Sequence, residues 1–247
     1  MKQAIIFLGL IVLILQSCGT EPATNNGNTT DNVDAEAKEQ PMEITVKTEK
    51  DSTGAMLLEY EYDKTTGVKH GFYKEYHENG KVSKELTFKK DKMDGVEKTY
   101  YENGTVSATF EVKEGMYDGV FKEYFEDGTL KQEGTYAKDE YQGELKTYYA
   151  DGTLKEMVTM LDNLEQGPFI EYNKNGTLKA KGSYMSKGEE ITALETGPLE
   201  EYDKDGTLTT KRICKEGQCC EIWNSKDGDV KPSSKMCEAV INSAQAQ

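Results

Sequence analysis

Residues 119–142 read GVFKEYFEDGTLKQEGTYAKDEYQ, and the chain repeats this stretch with a fixed period. Glycines stand at Gly71, Gly95, Gly119, Gly143 and Gly167, four steps of 24 residues. A second set stands at Gly80, Gly104, Gly128, Gly152 and Gly176, again at steps of 24. A sixth copy uses Gly197 and Gly206, displaced by six extra residues around 188–194. Tyrosine lies five residues after the first glycine in all six copies: Tyr76, Tyr100, Tyr124, Tyr148, Tyr172 and Tyr202. Val or Leu lies two after the second glycine: Val82, Val106, Leu130, Leu154, Leu178 and Leu208. A fixed period of this length marks a repeat architecture, in which each unit buries its apolar face only against its neighbours.

Each unit reads as a β-hairpin. The second glycine always follows Asn or Asp, at Asn79, Asn103, Asp127, Asp151, Asn175 and Asp205. Asn-Gly and Asp-Gly accept positive φ at both centres of a type I′ turn, the expectation here. The flanks are rich in Tyr, Phe, Val and Thr, which suit strands. After the turn, Leu130, Gly134 and Tyr136 fall on one face at even offsets, as do Val82, Leu86 and Phe88. Before it, Phe121 and Tyr124 are three apart, so either a bulge intervenes or both faces carry aromatics. A lone hairpin is marginal in water, so the units must pair edge to edge. Six hairpins predict twelve strands in an all-β, elongated antiparallel meander, about 58 Å long at about 4.8 Å per strand. Rows of Tyr and Val/Leu are expected to fill its inner face.

Composition supports a thin object. Of 247 residues only 36% are hydrophobic, yet there are 15 Tyr, 7 Phe and 23 Gly; mean hydropathy is −0.75. The formal net charge is −15. That sign excludes electrostatic binding of nucleic acid and disfavours anionic lipid. It is compatible with a basic protein partner.

The N-terminus reads as an address. Lys2 precedes an apolar run from Ala4 to Leu15, too short to cross about 30 Å of hydrocarbon as a helix. A positive start, a short apolar run and a small residue before a cut site describe a secretory signal. Leu15-Gln16-Ser17-Cys18-Gly19 resembles the bacterial lipobox. The resemblance implies cleavage after Ser17 and acylation of Cys18, with more than one acyl chain giving stable anchoring. Gly19 is not the Asp of the familiar inner-membrane retention signal, which leans the expectation toward the outer membrane. The expected organisation is a leader over 1–17, a tether over 18–42, a degenerate leading hairpin over 43–70, six repeats over 71–213 and a Cys-rich cap over 214–247. The tether, TEPATNNGNTTDNVDAEAKEQP, has no apolar period and almost no large apolar residue.

The repeat core of residues 71–80, 95–104 and 119–128, with the Gly-Thr-Val/Leu that follows, resembles the MORN family and its bacterial variant repeat. The resemblance covers about residues 57–215. It implies stacked hairpins and protein–protein contacts. Proteins with the variant repeat are often grouped as YwqK-type antitoxins, and others are envelope lipoproteins. Many MORN units carry a Trp that is absent here, the only one being Trp223 outside the repeats. That departure argues against the membrane-contact role of eukaryotic members.

Chemistry is sparse. Cys214, Cys219, Cys220 and Cys237 cluster at the C-terminus. Export favours disulfides over a metal site. Four cysteines allow three connectivities. A Cys219–Cys220 bond is strained, so one of the two is expected to pair with Cys214 and the other with Cys237, stapling a small cap. His70 and His77 have no fixed partner in sequence and read as surface or strand residues. Asp203-Lys204-Asp205-Gly206 has part of a calcium-loop pattern, but its glycine falls at the fourth position instead of the sixth, and a hairpin turn accounts for it. Lys-Glu and Lys-Thr pairs after the first glycine predict cross-strand charge ladders. No catalytic motif, cofactor or small-molecule substrate is expected. The reading is a lipid-anchored binding or scaffold module of the cell envelope, with a protein partner; the alternative is an antitoxin or immunity protein that captures a basic toxin.

Overall fold

The computed structural model describes residues 41–186 and 193–245. The leader, Cys18, the tether to residue 40 and the insertion at 187–192 lie outside the described residues. The described chain forms one 17-stranded sheet. Its strands are β1 (Ile44–Lys50), β2 (Met56–Asp63), β3 (Lys69–Tyr76), β4 (Val82–Lys89), β5 (Lys92–Met93), β6 (Gly95–Tyr100), β7 (Val106–Lys113), β8 (Met116–Tyr124) and β9 (Leu130–Ala137). The sheet continues through β10 (Glu140–Tyr148), β11 (Leu154–Leu161), β12 (Leu164–Tyr172), β13 (Leu178–Ser186), β14 (Ala193–Tyr202), β15 (Leu208–Lys215), β16 (Gln218–Asn224) and β17 (Gly228–Asp229), and one helix follows, α1 (Lys235–Gln245). Each strand pairs antiparallel with its sequence neighbour, β4 pairing with both β5 and β6, which are one strand interrupted at Asp94. The sheet exceeds the twelve strands expected because the leading hairpin β1–β2 and the C-terminal strands β16 and β17 join it, and one expected strand is split into β5 and β6.

The Asn/Asp-Gly turns differ from the type I′ expectation. Gly128 N donates to Phe125 O at 2.9 Å and Phe125 N to Thr129 O at 2.8 Å. Gly128 is left-handed at φ 86°, whereas Asp127 is absent from the positive-φ residues. This is a type I turn closed by a glycine bulge, needing only one left-handed residue. The Asp127 carboxylate instead accepts from Thr129 N at 2.8 Å. Where Asn stands in this place, its amide also reaches the next unit: Asn79 Nδ2 donates to Glu102 O at 2.9 Å and Asn103 Nδ2 to Glu126 O at 3.0 Å.

Type I′ turns occur at the other end of the strands. Lys90-Asp91, Lys138-Asp139 and Asp162-Asn163 have positive φ at both centres. Asp162-Asn163 tolerates this conformation, but the two Lys-Asp pairs carry no strong turn signal, and a left-handed Lys costs about 1 kcal/mol. Stitching to the preceding unit offsets that cost. Asp139 N donates to Tyr117 O at 2.9 Å, and Tyr117 N donates to Asp139 Oδ1 at 2.7 Å. Asp91 and Asn163 repeat the arrangement with Lys69 and Tyr141.

The core lies on one face and is built from columns other than those expected. Its buried residues include Leu86, Val112, Phe121, Val158, Met160, Phe169 and Leu199. Two positions after the first glycine stand Tyr73, Glu97, Phe121, Leu145, Phe169 and Leu199; facing the first glycine stand Phe88, Val112, Tyr136, Met160, Tyr184 and Cys214. Aromatic units alternate with non-aromatic ones, so the structural period is 48 residues. Phe121 pairs with Gly134 and Phe169 with Gly182. A Cβ on either glycine would lie 2.8 Å from the facing ring. These two glycines therefore supply room, while Gly119, at φ 134°, serves a bulge: its absent Cβ leaves space for Glu111, whose carboxylate accepts from Val120 N at 3.1 Å. Rings of Phe110, Tyr117, Phe121, Tyr136 and Tyr141 follow one another at centroid spacings of 4.3–6.3 Å.

Two substitutions test this account by urea denaturation midpoints. Gly134→Ala forces a methyl against Phe121 and Leu145 and is expected to cost about 1–3 kcal/mol. Lys138→Gly relieves a left-handed side chain while keeping the Asp139 stitch, and is expected to stabilise by about 0.5–1 kcal/mol.

Candidate functional site

The face opposite the core carries the columns that sequence pattern placed inside. Register shifts lie between Glu75 and Tyr76, Thr99 and Tyr100, and Glu123 and Tyr124. An extra residue in one strand breaks strict alternation, so Val106 does not share the face of Phe110. Val106 instead lines a depression of about 350 Å³ with Lys98, Tyr100, Thr109 and Tyr124. Phe121 is fully buried in the core face while Tyr124, Tyr76, Tyr100, Tyr148, Tyr172 and Tyr202 are half-buried outside it. Both faces carry aromatics, and the extra residue lies in the partner strand, at Lys131, not between Phe121 and Tyr124.

Three members of the tyrosine column are tied to carboxylates. Tyr76 OH donates to Glu59 at 2.5 Å, Tyr100 OH to Glu85 at 2.5 Å and Tyr148 OH to Glu133 at 2.8 Å. The equivalent place before Tyr124 holds Thr109 and that before Tyr172 holds Met157. Desolvation first, then the bond to the carboxylate, pushes each of Tyr76, Tyr100 and Tyr148 up to about 12.

Lysines three residues after the first glycine complete the row. Lys98 Nζ lies 3.5 Å from Glu85, Lys122 3.7 Å from Glu133 and Lys74 3.9 Å from Glu59. These exposed pairs contribute little to stability. The residues that follow them, Glu75, Thr99 and Glu123, point to the core face, so the expected ladders are split between the two faces. One further pair is buried: Glu97 replaces an apolar residue in the core column, and Lys84 Nζ lies 3.0 Å from it.

Two depressions on the outer face repeat each other two units apart. One, of about 310 Å³, is lined by Phe72, Lys74, Glu85, Thr87, Val96 and Lys98. The other, of about 350 Å³, is lined by Val120, Glu133, Thr135, Glu144 and Lys146. Val96 and Val120 are 47% and 44% exposed, unusual for β-branched residues in mid-sheet. Sequence reading noted the lysines of this row but not their neighbours here, because only the fold brings one strand's Lys beside the next strand's Glu and Thr.

The cysteines fall on both faces. Cys214 bonds Cys219 and Cys220 bonds Cys237. Adjacent strand residues point to opposite faces. Cys219 therefore meets Cys214 beside the core of Val158, Met160, Phe169 and Leu199. Cys220 meets Cys237 under α1, with Ile213, Val240 and Ile241. His77 Nε2 lies 2.9 Å from Tyr100 O as a turn contact, and His70 Nδ1 is buried without a partner. Asp203 Oδ1 accepts from Asp205 N and Thr207 N, both at 2.9 Å, as the turn reading requires. Among the described residues no group of three His, Cys, Asp or Glu is placed to hold a metal ion, and no helix is long and apolar enough to cross a membrane.

Five stretches match the family model of the MORN repeat variant. They are residues 69–90, 93–113, 117–138, 141–162 and 165–185. Each MORN-variant match spans one hairpin around the Asn/Asp-Gly turn; the sixth unit, with its insertion, lies beyond the matched residues. No curated protein matches the chain. Among solved structures, the chain is similar to a porin-like protein from Bacteroides uniformis ATCC 8492, at 11% identity over 72% of this chain and 92% of that one, with a TM-score of 0.19.

The tyrosine shifts give a pH prediction. A phenol whose folded value is raised contributes stability that is complete below its unfolded value near 10 and is lost as pH rises toward 12. The thermal midpoint is expected to be level from pH 8 to about 10 and to fall above it. In the variant Glu85→Gln plus Glu133→Gln, ultraviolet titration of tyrosinate is expected to begin at lower pH than in the parent chain.

Proposed function

We propose that the chain is a lipid-anchored binding or scaffold module of a bacterial cell envelope, with no catalytic step, held to the membrane through Cys18. The carrying observation is the repetition of one depression, with the same Lys, Glu and Thr chemistry, on an open face two units apart. An extended protein partner meets equivalent contacts at both places, and linked contacts strengthen each other through effective concentration. Four strands separate the depressions, about 19 Å at the usual strand spacing. The sequence around Cys18 supports the anchor. The pairing of all four C-terminal cysteines supports a compartment outside the reducing cytoplasm.

A second reading is an antitoxin or immunity protein. It is favoured by the net charge of −15 and by Glu156, Glu165 and Glu171, whose negative charges gather about Tyr184 and help raise its phenol to about 12 after burial. Such a field speeds association with a basic partner.

Affinity capture from envelope extract tests both. The anchored chain is expected to recover a defined envelope protein. Val96→Asp with Val120→Asp is expected to lose that protein while keeping the parent's circular dichroism and thermal midpoint. Cys18→Ala is expected to leave the membrane fraction. Recovery of one basic protein in near-equal amount, released by high salt and indifferent to the outer-face variant, would favour the antitoxin reading. Recovery of no protein by the parent chain would remove both.

A further inference from the structure

The two ends of the sheet are treated differently. The C-terminal end stops at a two-residue strand, β17, beside two disulfides and a packed helix. Short and covered edges of this kind prevent further strand addition. The N-terminal end is β1, seven residues long, which among the described residues pairs only with β2. Ile44 and Val46 are 42% and 49% exposed on one of its faces. The tether before it holds Pro22 and Gly27 and has no alternating apolar pattern, a poor sequence for a covering strand.

Hydrogen-bond parity fixes which groups are free. Lys64 N donates to Glu43 O at 2.9 Å, so odd-numbered residues of β1 turn their backbone groups to β2. Even-numbered Ile44, Val46 and Thr48 turn theirs outward. We propose that β1 is the interface of a symmetric dimer, in which a second copy of this chain adds its own β1 antiparallel and the sheet continues across a two-fold axis at Thr45.

The register follows from charge and side-chain matching. Centred on Thr45, the two threonines face each other at the axis, and β-branched hydroxyl pairs suit that position. Ile44 then opposes Val46 of the second copy, twice, on the outer face, with outward backbone groups of both in hydrogen-bonding phase. Glu43 opposes Lys47 of the second copy, twice, on the core face. Moving the axis one residue to Val46 sets Glu43 against Glu49, and moving it to Lys47 sets two lysines against each other. Like charges directly opposite are unfavourable. Present partners do not block the exchange: Glu43 pairs with Lys64 and Lys47 with Glu49, both at 3.0 Å and with all four side chains well exposed. Isologous contact of this kind closes after two copies and builds no fibre, because among the described residues each chain has one such edge.

Cross-linking reads the register. The full chain carrying Cys18→Ser and Thr45→Cys is oxidised mildly and run without reductant. A covalent dimer is expected, since residues facing across such a pair have Cβ atoms about 4.5–5.5 Å apart. With Thr48→Cys in place of Thr45→Cys, the two thiols stand six residues apart along the strands, about 20 Å, and the chain is expected to stay monomeric. A monomeric Thr45→Cys chain, or equal cross-linking of Thr48→Cys, overturns the proposal. Sedimentation over a dilution series gives the second reading, with circular dichroism confirming that each variant is folded. Lys47→Glu is expected to weaken association about tenfold, and Glu43→Lys with Lys47→Glu to restore it. Equal association in all three, or no recovery in the swap, also overturns it.

Discussion

Every strand of this molecule depends on hydrogen bonds offered by the next. A hairpin of two eight-residue strands leaves half of its backbone groups pointing outward, and it buries too little apolar surface to hold itself together. Pairing with the following hairpin satisfies those groups and sets the aromatic and aliphatic columns beside one another. The requirement passes from unit to unit until something ends it. At the C-terminus, β17 has two residues, and α1 with two disulfides substitutes covalent and apolar closure for a further strand. At the N-terminal end β1, seven residues long, pairs only with β2 among the described residues.

Units that must fit side by side need complementary sizes. Residues of one column lie two strands, about 10 Å, apart, so the strand between them must leave room for a large ring. The chain alternates: Phe121 lies over Gly134 and beside Leu145, and Phe169 over Gly182 and beside Leu199. A two-unit rhythm also appears on the outer face, where the depression at Glu85, Thr87 and Lys98 recurs at Glu133, Thr135 and Lys146. The packing solution on one face thus dictates where a partner would find equivalent contacts on the other.

Strain is placed where neighbouring units hold it. Lys90, Lys138 and Asp162 take left-handed conformations that isolated hairpins would avoid. Each is followed by an Asp or Asn that receives a backbone N–H from the preceding unit. The turns at that end are therefore specified by the stack, not by their own dipeptides.

The sequence by itself determined the repeat, the strands, the hairpin about each Asn/Asp-Gly and the clustering of four cysteines in a cap. These are local matters: a turn residue and a strand propensity act within a few positions, and a period of 24 is visible along one chain. Only the tertiary structure decided the turn type, the true core columns and the period of 48. The physical reason is the extra residue just after each turn, such as Ser107 or Lys131, across from the Tyr. One extra residue changes the parity of the second strand, so Val106 leaves the core face while Phe110 remains in it; Tyr100, three residues after Glu97, lies outside by ordinary alternation. Alternation counted along the chain cannot detect a shift that arises between strands. The cysteines show the same division. Their nearness was legible, but the pairing of Cys219 with Cys214 and of Cys220 with Cys237 depends on which face each enters.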